Sequence, residues 1–193
     1  MTMESPISGN PVLETDRVRL RKITSADVPA IYKYCSDNEV ARYTSWHAHI
    51  TQADTEGFVH HILQLYADQR LAPWGIEDKE TGTIIGTVGF VYVDPKHARA
   101  EVAYALSRHD WNKGIMSEVV ARVLAYAFDV LRLVRVEARC LVPNTGSARV
   151  MEKCGMAFEG ILRKHLLVKG KFEDLKTYAI VHDDNLKRLQ GLP

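Results

Sequence analysis

Between residues 101 and 141 the chain changes period twice, and this limits its architecture more than any other feature. Val102, Tyr104 and Leu106 alternate with Glu101, Ala103 and Ala105, the two-residue repeat of a strand with one buried face. A polar stretch containing Gly114 follows. Then Ile115, Val119, Val120, Val123, Leu124, Ala127, Phe128 and Leu131 recur on one face of a long helix. Val134–Leu141 reads as a strand again. An amphipathic helix set between two strands must bury its apolar stripe against the sheet those strands help to build.

The rest of the chain supplies the other layers. Val18, Leu20 and Ile23 alternate with Arg19, Arg21 and Lys22 as a first strand. Thr24-Ser25-Ala26-Asp27 offers capping groups to a helix through Val28, Ile31, Tyr32 and Cys35, and a second helix runs from about Thr51 to Gln69. Trp74–Ile76, the turn Glu77–Gly82 and the run Ile84–Val93 open an antiparallel meander, which turns at Asp94-Pro95-Lys96-His97 into Glu101–Leu106. Downstream, Pro143-Asn144 breaks the chain before a short helix, Ser147–Lys153, that halts at Gly155. Strands at about Met156–Val168 and Phe172–His182 flank the turn Lys169-Gly170-Lys171. The predicted order is β-α-α-β-β-β-α-β-α-β-β, without repeat or linker. We therefore expect one α+β domain over residues 1–193, a flexible N-terminus over about residues 1–12, and three α/β/α layers around a mixed sheet.

With 193 residues, 46% of them hydrophobic, the chain can build a core without disulfides or a structural metal. Its 25 Lys+Arg against 24 Asp+Glu exclude a partner held by bulk charge, so neither nucleic acid nor a membrane surface is expected. Cys35, Cys140 and Cys154 are odd in number and lack C-x-x-C spacing, which fits a reducing cytoplasm. No stretch approaches the ~18 apolar residues of a membrane span, and residues 1–10 do not read as a signal peptide.

Chemistry concentrates in Ser107-Arg108-His109-Asp110-Trp111-Asn112-Lys113-Gly114-Ile115-Met116-Ser117-Glu118, at the strand-to-helix junction. Such a junction converges free N–H groups and the positive helix end on one small volume, and Gly114 lets backbone approach a ligand. A pyrophosphate would use that geometry; an ordinary strand–helix connection with a solvated lysine is the other reading. His47-x-His49 and His60-His61 form no His-Glu-x-x-His motif, and no metal is expected. Trp46, Trp74, Phe90 and Tyr104 are candidates to line an acceptor pocket, with core packing as the alternative. Arg163, Lys164, Lys169 and Lys171 could attract an acidic peptide or a ligand's phosphate, with a solvated basic hairpin as the default reading.

Three segments together resemble the GNAT (Gcn5-related) N-acetyltransferase superfamily, more closely its RimJ/RimL-like branch. They are Ala100–Leu106, Trp111–Glu118, and Asn144-Thr145-Gly146-Ser147-Ala148-Arg149-Val150-Met151-Glu152-Lys153-Cys154-Gly155-Met156 continuing into Phe158-Glu159-Gly160. The resemblance implies the GNAT acyl-CoA N-acyltransferase fold with a splayed, mostly antiparallel central sheet, and an acetyl-CoA-binding core over about residues 100–160. It assigns Leu106, Trp111, Asn112, Lys113, Gly114, Ile115, Met116 and Ser117 to the pyrophosphate side of acetyl-CoA, and Asn144 to its pantetheine arm. Trp111 and Met116 depart from the family's usual Gln/Arg and Gly/Ala at their places in the loop.

Glu101 is the candidate base, directly or through water, with a sheet-stabilising ion pair as the alternative; Ser147 is the candidate proton donor to sulfur, or else a helix cap. Where some ribosomal-protein-acetylating relatives carry a glutamate, this chain reads Lys164-His165-Leu166-Leu167. An α-amine with pKa ~7.7–8.0 needs little help near neutrality, whereas a lysine amine at ~10.4 costs about 4 kcal/mol to deprotonate at pH ~7.5. Together with this argument, the resemblance to the RimJ/RimL branch implies as favoured acceptor the N-terminal amine of a protein or peptide, attacking directly in a ternary complex. The alternatives are a small amine (polyamine, amino acid or antibiotic) or a CoA-binding sensor without turnover. A homodimer is left open.

Overall fold

The computed structural model describes residues 10–183. In chain order these build β1 (Leu13–Glu14), β2 (Val18–Arg21), α1 (Val28–Cys35), α2 (Asn38–Ala41), α3 (Gln52–Ala67), β3 (Trp74–Asp78), β4 (Ile84–Asp94) and β5 (Arg99–Leu106). Then follow α4 (Ile115–Asp129), β6 (Arg135–Leu141), α5 (Thr145–Lys153), β7 (Ala157–Val168) and β8 (Lys171–Val181). The predicted element order stands, with β1 and α2 added. Both are too short to leave a periodic signal.

The strands form one eight-stranded sheet in the order β1-β2-β3-β4-β5-β6-β8-β7. Every neighbouring pair is antiparallel except β5 and β6, which run parallel because α4 carries the chain back over the sheet. The apolar stripe of α4 (Ile115, Met116, Val119, Val120, Val123, Leu124 and Ala127) lies in one large cluster with Val88, Ala100, Val102, Leu106 and Val136. On the opposite face Ile31, Tyr34 and Cys35 of α1, Val40 of α2 and Val59 and Ile62 of α3 pack around Ile23 and Ile84. Helices on both faces of a mixed sheet give the expected three layers.

Two local details place the site. A Cβ on Gly86 of β4 would stand 2.4 Å from the Ala105 carbonyl oxygen, so only glycine lets β4 lie this close to the end of β5. The Ser107 N–H then bonds the Ile85 carbonyl at 2.7 Å, fixing where β5 gives way to the loop. At the other side β7 is the sheet edge, with Phe158, Ile161, Leu162, Leu166 and Leu167 exposed. Of the N-terminal segment expected to be flexible, residues 1–9 lie outside the described residues. Asn10 is buried and donates to the Ala72 carbonyl at 2.8 Å, and the Pro11 carbonyl accepts the Trp74 indole N–H at 2.8 Å.

Candidate active site

The parallel ladder between β5 and β6 pairs Arg99 with Arg135, Ala100 with Val136 and Glu101 with Glu137, and goes no further. Both strands continue, β5 to Leu106 and β6 to Leu141, so they diverge beyond Glu101 and open a gap in the middle of the sheet. Each inner edge there keeps backbone groups without a partner across the gap. A buried N–H or C=O left so is costly, which makes such an opening a natural seat for an extended amide-bearing ligand.

The gap's upper end is closed by the loop into α4. Trp111 anchors that loop. Its indole N–H donates to the Leu106 carbonyl at 2.9 Å, and its backbone N–H donates to the Arg108 carbonyl at 3.2 Å. Trp111 therefore spends both its donors on fixing the loop and keeps none for a hydrogen bond to phosphate. The N–H groups from Asn112 to Ser117 make no hydrogen bond among the described residues. Asn112 (φ 59°) and Gly114 (φ 79°) both adopt left-handed backbone, curving this run of donors into a concave nest at the positive end of α4. Lys113 Nζ is tied to Asp110 at 3.0 Å.

Sequence reasoning missed Arg17. Its guanidinium donates from Nη1 to the Lys113 carbonyl at 2.8 Å and from Nε to Glu118 Oε2 at 2.7 Å, and its backbone N–H reaches Glu118 Oε1 at 3.1 Å. The Lys113 carbonyl is thus held by Arg17, within the run of residues whose N–H groups are unpaired among the described residues. Thr15 and Arg17 hold the Glu118 carboxyl below its usual range against the opposing effect of burial. A contact spanning almost a hundred residues leaves no local pattern to read.

At the vertex of the gap sits Glu101. Burial pushes its carboxyl up, Arg139 at 3.5 Å pulls it down, Glu137 adds repulsion, and the net shift is upward. Its partner in register, Glu137, is buried but held below the usual range. Arg135 Nε donates to it at 2.8 Å, the Tyr92 hydroxyl at 3.2 Å and Arg139 Nη2 at 3.3 Å. Two carboxylates in similar burial are thus driven apart, with Glu137 fully ion-paired and Glu101 the more basic. Arg139 also faces His165 of β7 at 3.5 Å.

The strand alternation sends Tyr104 to the other face of the sheet, toward α5. Its hydroxyl lies 3.0 Å from Ser147 Oγ and 3.2 Å from the Ser147 carbonyl oxygen. Ser147 belongs to the first turn of α5, which begins at Thr145 and not at Ser147. The cap is Asn144, whose Oδ1 accepts the Ser147 N–H at 3.1 Å. The capping role considered for Ser147 thus falls to Asn144, and the Ser147 hydroxyl is left for other work. The Asn144 side-chain amide keeps its Nδ2 donors without a partner among the described residues.

A family model for the GNAT acetyltransferase domain matches residues 17–157. The chain belongs to the GNAT acetyltransferase family. An uncharacterized N-acetyltransferase of Bacillus subtilis, YoaA, is 37% identical over 171 residues, 89% of this chain and 97% of that protein. A solved GNAT-family acetyltransferase from Bacillus anthracis superposes with a TM-score of 0.80 at 28% identity, covering 90% of this chain and 99% of that one. Relatives with a named acceptor are farther off. The spermidine N(1)-acetyltransferase of Vibrio cholerae is 22% identical over 89% of this chain and 97% of its own. The ribosomal-protein-serine acetyltransferase of Escherichia coli is 26% identical over 52% of this chain and 56% of its own. The protein is an acetyl-CoA-dependent N-acetyltransferase, and the unpaired N–H run beside an opened sheet fits that donor's pyrophosphate and amide-bearing arm.

Not every residue expected near the acceptor of this acetyltransferase reaches it. Trp74 is fully buried and Phe90 nearly so, packed edge-on against each other with ring centroids 6.1 Å apart; Tyr126 meets Trp74 from the other side. Both are core side chains, which corrects their assignment to an acceptor pocket. Tyr104 contacts Ser147, as described, so its hydroxyl belongs to the α5 side. Trp46 is half-buried and sits against His49, 5.8 Å away, at the loop between α2 and α3. His49 is bonded to Thr55 and His60 to Gln64. The basic hairpin is partly tied down: Lys169 donates to the Ala41 carbonyl and Lys171 pairs with Glu173. No helix among the described residues is long and apolar enough to cross a membrane.

Proposed function

We propose that this acetyltransferase acts on the N-terminal α-amine of a protein or peptide, in a ternary complex and by direct attack. The observation that carries the reading is the vertex of the gap, where Glu101 stands beside Arg139 with a raised carboxyl pKa. Glu101 and Glu137 both face arginines, so the vertex offers no surplus of negative charge to a polycation. That favours a single amine of low pKa over spermidine, even though a spermidine-acetylating relative aligns along most of the chain.

Acetyl-CoA supplies a thioester whose carbonyl carbon accepts the amine nitrogen as the bond to sulfur breaks. The N–H groups from Asn112 to Ser117, shaped by Gly114, would hold the pyrophosphate, and the Asn144 side-chain amide would serve the arm. Glu101 takes a proton from the amine, directly or through water, on one face of the sheet. Ser147 gives a proton to the departing sulfur on the other. One proton is released and one consumed, so solvent balances the cycle without net change. A raised carboxyl is the stronger base of the two at the vertex, which suits it to take the proton. An odd number of cysteines, Cys35, Cys140 and Cys154, all of them buried, supports placing the enzyme in a reducing, cytoplasmic setting.

The test is thiol release from acetyl-CoA over N-terminal peptides, spermidine, free lysine and aminoglycosides. Peptides blocked only at the α-amine should lose all turnover, while those blocked only at lysine keep it. Turnover of spermidine above that of every peptide defeats the acceptor assignment. Glu101→Gln should remove the acid limb of the pH–rate profile; an unchanged limb eliminates Glu101 as the base.

A further inference from the structure

Tyr104 has a place in this chemistry that its aromatic ring does not suggest. A phenol carries one hydrogen, and the Tyr104 oxygen faces two acceptors of the same residue, Ser147 Oγ at 3.0 Å and the Ser147 carbonyl at 3.2 Å. The α5 ladder opens at the Asn144 carbonyl, which accepts from Ala148 at 3.2 Å, so the Ser147 carbonyl lies within it and faces the N–H of Met151 four residues on. The Ser147 N–H is committed to Asn144 Oδ1. Every backbone group of Ser147 is thus satisfied without Tyr104, and the rotation of its hydroxyl is what the phenol can still decide. The Ser147 hydroxyl also interacts with the Cys140 thiol of β6, on the strand that borders the gap. With Tyr104 on β5 and Cys140 on β6, the Ser147 hydroxyl is reached from both strands that border the gap.

We infer that Tyr104 is a positioning residue: its phenol donates to Ser147 Oγ and thereby commits the single serine hydrogen to the departing sulfur. The inference rests on Ser147 acting as proposed above. Tyr104 gives up no proton. The carbon–sulfur bond breaks with its electron pair on sulfur, the Ser147 hydrogen passes to sulfur, and solvent restores the serine. Without the phenol the serine hydroxyl rotates among local acceptors, and only a fraction of encounters finds its hydrogen correctly aimed.

Tyr104→Phe keeps the ring and its packing. It should lower kcat about tenfold while KM for acetyl-CoA stays within about twofold, since the donor's binding groups are untouched. Ser147→Ala should lower kcat by about a hundredfold. The deciding measurement is the double variant. If Tyr104 works through the serine hydroxyl, Tyr104→Phe costs less than about twofold once Ser147 is alanine. An undiminished tenfold loss in that background overturns the inference, as does full kcat in Tyr104→Phe beside a strong Ser147→Ala defect. Full kcat in Ser147→Ala removes the serine's role itself, and the inference with it. Circular dichroism and Tm confirm that each variant folds.

Discussion

Replacing Gly114 with alanine separates backbone strain from donor binding. Gly114 caps α4 at φ 79°, and a Cβ added there meets nothing nearer than an Arg17 guanidinium nitrogen at 3.7 Å, so there is room for a methyl group. The cost is conformational: an L-residue in left-handed backbone loses about 1–2 kcal/mol, partly offset by the lower entropy of the unfolded alanine chain. A net loss near 1 kcal/mol lowers Tm by about 2–4 °C in a chain of this size. Gly170, in the β7–β8 turn, gives a matched control. Its φ is 81° and nothing lies within 4 Å of an added Cβ, so Gly170→Ala should lose the same stability. The two variants part company at the cofactor. Relaxing residue 114 toward negative φ flattens the nest formed with Asn112, and about 1–2 kcal/mol appears as a 5–30-fold rise in KM for acetyl-CoA. Gly170→Ala should leave that KM unchanged. Initial-rate kinetics by thiol release, beside thermal melts, decide the matter. Equal Tm losses with equal, unchanged KM values would refute the assignment of this loop to the pyrophosphate.

Two further outcomes follow from charged contacts. Arg17→Ala leaves the Arg17 backbone bond to Glu118 but frees the Lys113 carbonyl; because the Arg17 side chain is half-exposed, KM for acetyl-CoA should rise only about two- to fivefold, with kcat unchanged. A fall in kcat with KM intact would contradict its role in shaping the loop. Asp27 is held below its usual pKa because the bidentate bond from Arg21 and the Thr24 donors outweigh burial. A depressed carboxyl adds stability above its unfolded pKa and loses it as pH falls through the folded value. Asp27→Asn should therefore lower stability by about 1.5–3 kcal/mol near pH 7 and flatten its decline below pH ~4, read from urea melts across pH. An unchanged slope on the acid side would place the titrating group elsewhere.

Element order was legible because periodicity is local: the stripe on α4 and the alternation along β5 need only their own side chains. The parallel register of β5 and β6 was not, since it depends on how α4 packs and on where Glu101 and Glu137 meet. The loop from Ser107 to Glu118 was visible as chemistry, while the division of labour within it was hidden. Trp111 reads as a cofactor residue, and only the fold shows that both its donors go to the Leu106 and Arg108 carbonyls and anchor the loop. Trp74 and Phe90 show the same limit from the other side, because an aromatic on a strand reads alike whether its ring meets a substrate or a neighbouring ring. Arg17 lay beyond reach altogether, since turn and helix meet only in the folded chain.

Three residue pairs stitch β5 to β6, and among the described residues that seam alone joins the sheet's two wings, β1 to β5 and β6 to β8, by strand pairing. Mechanically the sheet resembles a book with a short spine. Whatever occupies the opening beyond Glu101 becomes part of the binding as well as a reactant, bearing load between the covers. An occupant bonded to both edges would therefore stiffen the join between the two wings.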